Sequence, residues 1–484
     1  MEPLGLRALC YVRPWTESYF RYVSQGVFGS GNTMHVSDFR GLGSPSIADL
    51  FYGHLRRQRE PHWPDFISRE ERDDLVARCR LLRELAPEEA DQLLAAMTWA
   101  IEEVLDRCQP QIIFAPLLDS YVMDLLRVCA ARRGVPFLGL SPTFMSGYCR
   151  LTARGEHVAF RRPKGRECRH ALQELLDPQY QPPHFRAFSD RGSWFLIQRW
   201  LRENVKQAYF TLLPWLRRDP LNYHYATSRR AARQRSRWDC LGPARFFDSD
   251  WQERLQRFPG GWAYVPLHFH PEATTDYWLK PRDFLDYEES VLEVARRLAA
   301  ELPLAVKEHP AFLGFRSAGF YRRLRSIPNL VVVPAGVRSN QLVETSVAVV
   351  VWLGSVGAEA GLRGKAVVTL GQPYYATGLK FLNVTSRQEL DQVPAQVRRL
   401  AATPAPTADE KLVVIRHVLS GCVPGSYDGL HFSASNATKK AKADGMIASL
   451  RRYLPRWRER VSIEARTGTV LTEPEFRAAD SSSQ

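Results

Sequence analysis

The sequence predicts an α/β protein with doubly wound, mostly parallel sheets, on three observations. Residues 111–140 read as strand, helix and strand at the spacing of a parallel crossover. From Trp262 to Leu370, short Val- and Leu-rich runs alternate with helix-length stretches, the pattern of strands buried on both faces. Small, charged and imidazole side chains gather directly after several of these runs, and open α/β sheets bind ligands outside the carboxyl ends of their strands.

Taken in order, Arg7 to Val12 is a first strand, followed by a helical pattern through Tyr19, Phe20 and Val23, and Met34 to Asp38 is a second strand. Pro87, Glu88 and Glu89 open a helix carrying Ala90, Leu94, Met97 and Ile101 on one face. Gln111 to Ala115 and Pro136 to Leu140 are strands around a helix from Tyr121 to Arg132. Asp119 stands in the intervening loop, where a catalytic carboxylate or a helix N-cap would stand. Residues 190–240 interleave Trp194, Trp200, Tyr209 and Trp215 with Arg191, Arg199, Arg202, Lys206, Arg217 and Arg218. Two readings stay open for this basic segment: a membrane-surface helix, or a connector with its aromatics packed inward. Five strands then follow at Trp262–Leu267, Leu304–Val306, Leu330–Val333, Val347–Val351 and Ala366–Leu370. Helices fit between them at Phe284–Ala300, Ala318–Arg325, Ser339–Thr345 and Ser355–Leu362. Two helices fill 386–421, a last one covers Asn436 to Tyr453, and a loose polar tail follows from 466.

Composition narrows the function. The chain has 484 residues and a net charge of +14, which favours anionic partners: phosphorylated substrates or an acidic membrane face. No nucleic-acid-binding motif accompanies the charge, so nucleic acid is not expected as a partner. No apolar run reaches the ~18 residues of a membrane span, and the first fifteen residues read as a strand rather than a signal peptide. A cytoplasmic location is expected. The eight cysteines form no Cys-x-x-Cys pair and read as reduced and buried.

Two strand-end clusters carry the chemistry. Gly354-Ser355-Val356-Gly357-Ala358-Glu359 leads a strand into a helix whose free N–H groups and positive dipole end suit a phosphate. Glu359, one turn in, can reach the hydroxyls of a ribose. Lys307 and His309, followed by Pro310, stand where another strand ends and can supply charge and a hydrogen bond to a phosphate oxygen. His268, His270 and Glu272 would share one face if their strand continued, but no further ligand stands near, so no metal is expected. Asp248-Ser249-Asp250 reads as solvated surface.

These residues resemble a known family. Pro266-Leu267 with Pro271-Glu272, Val306-Lys307-Glu308-His309-Pro310, Pro328-Asn329, Gly354 to Ala360 and Gly371 look like the bacterial capsule polysaccharide biosynthesis family, which includes Kdo transferases. The resemblance covers roughly residues 260–435. It implies a GT-B-like architecture of two Rossmann-like domains: an acceptor-side domain at 1–190, a basic helical connector at 191–255, a nucleotide-sugar domain at 256–425, a terminal helix at 426–465 and a flexible tail at 466–484. It further implies a metal-independent, cofactor-free glycosyltransferase working with CMP-Kdo or a similar nucleotide sugar and a lipid-linked or oligosaccharide acceptor. Lys307, His309, Gly354, Ser355, Gly357 and Glu359 would bind the donor. The catalytic group is expected from Asp119 or Glu272, with His309 on the leaving phosphate. The basic aromatic segment would bring the enzyme to the inner face of the plasma membrane. A UDP-sugar transferase, a GT-B-type nucleotide-sugar epimerase and a non-catalytic scaffold in capsule assembly or export are the alternatives.

Overall fold

The computed structural model describes residues 2–58, 60–180, 193–270, 272–427, 429 and 432–467. Arg191, Pro271 and the tail beyond 467 therefore lie outside the described residues. Among the described residues there are twelve strands: β1 (Ala8–Tyr11), β2 (Thr33–Val36), β3 (Ile112–Pro116), β4 (Phe137–Pro142), β5 (Tyr148–Leu151), β6 (Ala263–Pro266), β7 (Leu304–Lys307), β8 (Leu330–Val333), β9 (Ala348–Val351), β10 (Ala366–Thr369), β11 (Phe381–Asn383) and β12 (Cys422–Pro424). They form two six-stranded sheets in two compact units. Both units are doubly wound α/β, as the sequence predicts.

The first unit comprises Met1–Cys168, Trp215–Tyr223 and Ile415–Gln484. Its sheet runs β12-β5-β4-β3-β1-β2, parallel from β2 to β4, with β5 and β12 antiparallel at one edge. The chain leaves β1 towards β2, then returns to place β3 on the other side of β1. The sheet therefore changes direction between β1 and β3, the place where such folds open a crevice. Helix Glu17–Phe28 covers one face through Tyr19, Phe20, Val23 and Val27, all buried. Helix Ala437–Thr467 lies against it and runs well past the expected end at Tyr453. Arg451 Nε donates to the Gly26 carbonyl at 2.8 Å, and a β-carbon on Gly26 would stand 2.4 Å from the Ile447 side chain. Only a glycine lets the two helices come so close.

The second unit comprises Arg169–Pro214 and His224–Val414. Its sheet is parallel throughout, in the order β11-β10-β9-β6-β7-β8. Here the switch lies between β6 and β9, with β7 on the other side of β6. The sheet has one strand more than expected, the edge strand β11. Helices Ala318–Arg325, Ser339–Thr345 and Ser355–Leu362 match the sequence reading at both ends. Ser317 caps the first of them by accepting from the Phe320 N–H at 3.2 Å.

One expectation is overturned by packing. Asp248 is buried, not solvated: its backbone N–H donates to the Val332 carbonyl, and its Oδ2 accepts from the Val332 N–H at 2.8 Å. Arg254 and Arg325 pair with its other oxygen at 2.6 and 3.3 Å. An aspartate that pairs with an edge strand and with two arginines fastens a loop to a sheet. All eight cysteines are buried, none in a disulfide.

Candidate functional site

At the switch point of the second sheet, the end of β6 meets the turn after β9. Gly354 caps helix Ser355–Leu362, and a β-carbon on it would stand 3.0 Å from the His268 imidazole. The missing side chain is what lets the two strand ends close on each other. The Gly354 carbonyl accepts from the Tyr375 hydroxyl, whose oxygen also fills the space beside Gly357, 2.6 Å from where a β-carbon would be. β6 ends at Pro266, so His268, His270 and Glu272 do not alternate along a strand. His268 packs edge-on to Trp352 and Tyr287, and His270 stacks on Tyr287 with ring centroids 5.0 Å apart. Glu272 accepts from the Thr274 hydroxyl at 2.9 Å in the turn that follows. Among the described residues no group of three or more His, Cys, Asp or Glu side chains could hold a metal ion.

The end of β7 is fixed by a buried arginine that sequence reading passed over. Arg316, with no exposed surface on its side chain, donates to Glu308 at 2.7 Å, to Glu288 at 2.9 Å and to the His268 carbonyl at 2.7 Å. Glu308 also accepts from the Tyr321 hydroxyl and the His309 N–H, each at 2.7 Å. One guanidinium thus ties the β6 end to the β7 end. On this frame His309 caps the short turn Pro310–Phe312, its Nδ1 accepting from the Ala311 N–H at 3.2 Å. An imidazole that accepts at Nδ1 carries its proton on Nε2, so it presents a donor on the far side of the ring. His268 beside it stays neutral: burial, with help from His309 and Arg316, pushes its pKa down to about 3. Lys307 is buried at the last position of β7, 3.5 Å from the Ser339 hydroxyl, and burial lowers its pKa to about 8.

Glu359 faces inward from the second turn of helix Ser355–Leu362. It is 4% exposed, and burial pushes its pKa up to about 7 against the pull of Arg363. No hydrogen bond reaches its carboxyl group from another described residue. Arg363 donates instead to backbone carbonyls, those of Leu175, Asp177 and Glu359 itself. Tyr180, buried on the same side, has its hydroxyl pKa raised by burial and then by Glu359. Tyr180 lies too far back in the sequence for any local pattern to have pointed to it.

Asp119 belongs to the first unit. It follows β3, and Ser120, not Asp119, caps helix Tyr121–Arg132. The Asp119 carboxylate takes a two-pronged ion pair from Arg13, which follows β1 and is buried. Burial works against the charge on Arg13, and Asp119 more than restores it. The Asp119 side chain keeps 33% of its surface exposed. Asp38, just past β2, completes the cluster: burial raises its pKa to about 6 against the field of Arg13. Sequence reading placed Asp38 at a strand end without assigning it a role. Of the two carboxylates expected to act in catalysis, Asp119 belongs to the first unit and Glu272 to the second.

The second unit thus brings a glycine turn, a helix N-terminus and a buried carboxyl group to one switch point of its sheet. Residues 283–401 match the family of capsule polysaccharide biosynthesis proteins, the family that the motifs resemble. Lys307, His309 and Gly354 to Glu359 fall inside the match, and Asp119, His268 and Glu272 outside it. No curated protein matches the chain. Among solved structures it is similar to Thermosulfurimonas dismutans KpsC, beta Kdo 2,7 transferase, at 12% identity over 92% of this chain and 98% of that one, with a TM-score of 0.34. It is also similar to that organism's KpsC, beta Kdo 2,4 transferase, at 13% identity over 70% and 87%, with a TM-score of 0.32. A UDP-GlcNAc 2-epimerase from Methanocaldococcus jannaschii follows at 10% identity over 86% and 99%, with a TM-score of 0.23. Likenesses at such scores decide nothing about this chain.

Proposed function

We propose that the chain is a glycosyltransferase of capsule or related surface polysaccharide synthesis, taking its sugar from a nucleotide donor held at the β6–β9 switch point. The observation that carries this reading is Glu359, a buried carboxyl with no hydrogen bond from the described residues, one turn into a helix whose N-terminus can hold a phosphate. A nucleoside supplies what both need: ribose hydroxyls that donate to Glu359, and phosphate oxygens that accept from the helix N–H groups at Ser355 and from His309. Lys307 adds positive charge behind them. In the transfer, the bond from the anomeric carbon to the phosphate breaks as the acceptor oxygen bonds to that carbon. Fixed dipoles and cations on the departing phosphate lower the barrier to that step. Asp119, paired with Arg13 and still open to solvent, is the carboxylate we assign to take the proton that the acceptor hydroxyl gives up.

CMP-Kdo is the donor and a lipid-linked or oligosaccharide acceptor its counterpart in this reading, which the family match over the donor residues supports. The enzyme would work from the cytoplasmic side of the membrane, and the net charge of +14 supports contact with an anionic surface. A thermal-shift screen with CMP, UDP and GDP tests the donor, since a ligand that binds only the folded state raises the melting temperature. CMP is expected to act most strongly, and the shift to vanish in His309→Ala and Glu359→Ala. No shift with any of the three would overturn the reading. An NMR time course on the donor alone separates transfer from epimerisation.

A further inference from the structure

Helix Ser193–Leu216 is amphipathic in the wrong sense for a helix that only joins parts of a fold. Its buried side carries charge: Arg199 and Glu203 are 8% and 1% exposed. Arg199 donates to the carbonyls of Leu313, at 2.8 Å, and Ala311 and lies over the Phe315 ring, 3.5 Å from its centroid. Glu203 pairs with Lys206 at 2.8 Å. The outward side carries Trp194, Ile197, Leu201, Val205, Tyr209 and Leu212, each between 40% and 69% exposed. Their spacing of three and four places them on one stripe about 120° wide at 100° per residue. From Trp194 to Leu212 the stripe is roughly 27 Å long at 1.5 Å per residue. Scattered exposed apolar residues are ordinary, but a continuous stripe of this length is what an apolar partner covers.

The charges around it choose the partner. From 193 to 238 there are two acidic residues, Glu203 and Asp219, and both are buried. Arg202, Arg217, Arg218, Arg229, Arg230, Arg233 and Arg237 are exposed. A second copy of the chain would set Arg202 and Lys206 against their own kind, with no exposed acid to meet them. An anionic bilayer supplies both apolar depth and negative headgroups. No described helix is long and apolar enough to cross a membrane. We infer that helix Ser193–Leu216 lies in the surface of an anionic membrane, its Trp194-to-Leu212 stripe sunk below the headgroups. The inference is independent of the donor reading, although a lipid-linked acceptor would make use of it.

Vesicle flotation of the full chain tests it, with phosphatidylcholine vesicles and with vesicles roughly one-third phosphatidylglycerol. The wild-type chain is expected to float with the anionic vesicles and to be released by high salt. The triple variant Leu201→Glu/Val205→Glu/Leu212→Glu is expected to bind at least about tenfold less. Its melting temperature and its response to CMP should stay unchanged, which separates this outcome from failure of the donor site. If the glutamates lower the melting temperature, Leu201→Ala/Val205→Ala/Leu212→Ala replaces them, with the same loss of flotation expected. Undiminished flotation of the folded variants would overturn the inference. So would a wild-type dimer in light scattering that the variants split while neither form floats.

Discussion

Arg13 and Asp119 stand at the ends of β1 and β3 and join across the point where the first sheet changes direction, one guanidinium nitrogen 2.8 Å from the carboxylate. His268 and Gly354 stand in the corresponding place in the second sheet, at the ends of β6 and β9. The same topological position holds an ion pair in one unit and an imidazole against a glycine in the other. Charge is concentrated where an acceptor would be activated, and bare backbone where a phosphate would be received.

If Asp119 acts on the acceptor, Asp119→Asn keeps the shape and removes the charge. Turnover should fall by about 10²–10⁴, the usual worth of a positioned proton-transfer group. Donor binding measured by thermal shift should stay near wild type. A variant with full turnover would remove Asp119 from the chemistry.

Glu359 makes donor binding depend on pH. Its pKa in the empty site is about 7, and hydroxyl donors favour the ionised form. Affinity should therefore fall by about tenfold per pH unit as pH drops below 7, and binding near neutrality should release a proton. Titration calorimetry in two buffers of different ionisation enthalpy reads the proton directly. The same group affects the empty protein with the opposite sense. Its folded-state pKa lies above its ordinary value of 4.5, so it costs stability increasingly as pH rises from about 4.5 to 7. Glu359→Gln should flatten that part of the stability profile and abolish the proton release.

Two glycines of one turn should respond differently to alanine. At Gly354 the added methyl group meets the His268 ring at 3.0 Å, and at Gly357 it meets the Tyr375 hydroxyl at 2.6 Å and Val351 at 2.8 Å. Gly357→Ala should cost about 1–3 kcal/mol in urea unfolding, the range for overpacking a core. Gly354→Ala should cost less stability but shift His268 and weaken donor binding. Equal effects of the two on both measurements would contradict this division.

Arg316 compensates Glu308 where neither side chain reaches solvent. Arg316→Met would leave that carboxylate buried with only neutral partners, a loss of about 3–5 kcal/mol for a broken buried pair. Replacing both, as Arg316→Met with Glu308→Leu, should recover much of the stability, while donor binding stays impaired because His309 loses its backbone anchor on Glu308. Urea titration of the three variants checks the first point and thermal shift the second.

Much of this architecture is legible in the sequence, because its signals are local. Helices Tyr121–Arg132, Ala318–Arg325, Ser339–Thr345 and Ser355–Leu362 lie where periodicity and turn residues put them. Strands β5, β11 and β12 are three or four residues long, too short to show a period. Their order is set by tertiary pairing, as when Cys422 aligns with Arg150. Position at strand ends picked out His309, Gly354 and Glu359, but that rule does not reveal which ends adjoin. The contact of His268 with Gly354 depends on β6 lying next to β9. Arg316 is a single arginine in a basic chain, and only burial distinguishes it. Asp248 shows the converse: an Asp-Ser-Asp loop looks like surface until two arginines and a strand close over it.

The first unit is assembled from three separated stretches of chain, and this sets an order of events during synthesis. Its strands β1 to β4 are made first, yet β12 and the helix carrying Met446, Leu450 and Trp457 belong to the same core and are made last. The second unit has all six of its strands by residue 383. As chains emerge at about 5–20 residues per second, the second unit can finish while the first still lacks an edge strand and a covering helix. The unit begun first is the one completed last. Truncation near residue 415 would leave the second sheet entire and strip the first of its final strand and helix.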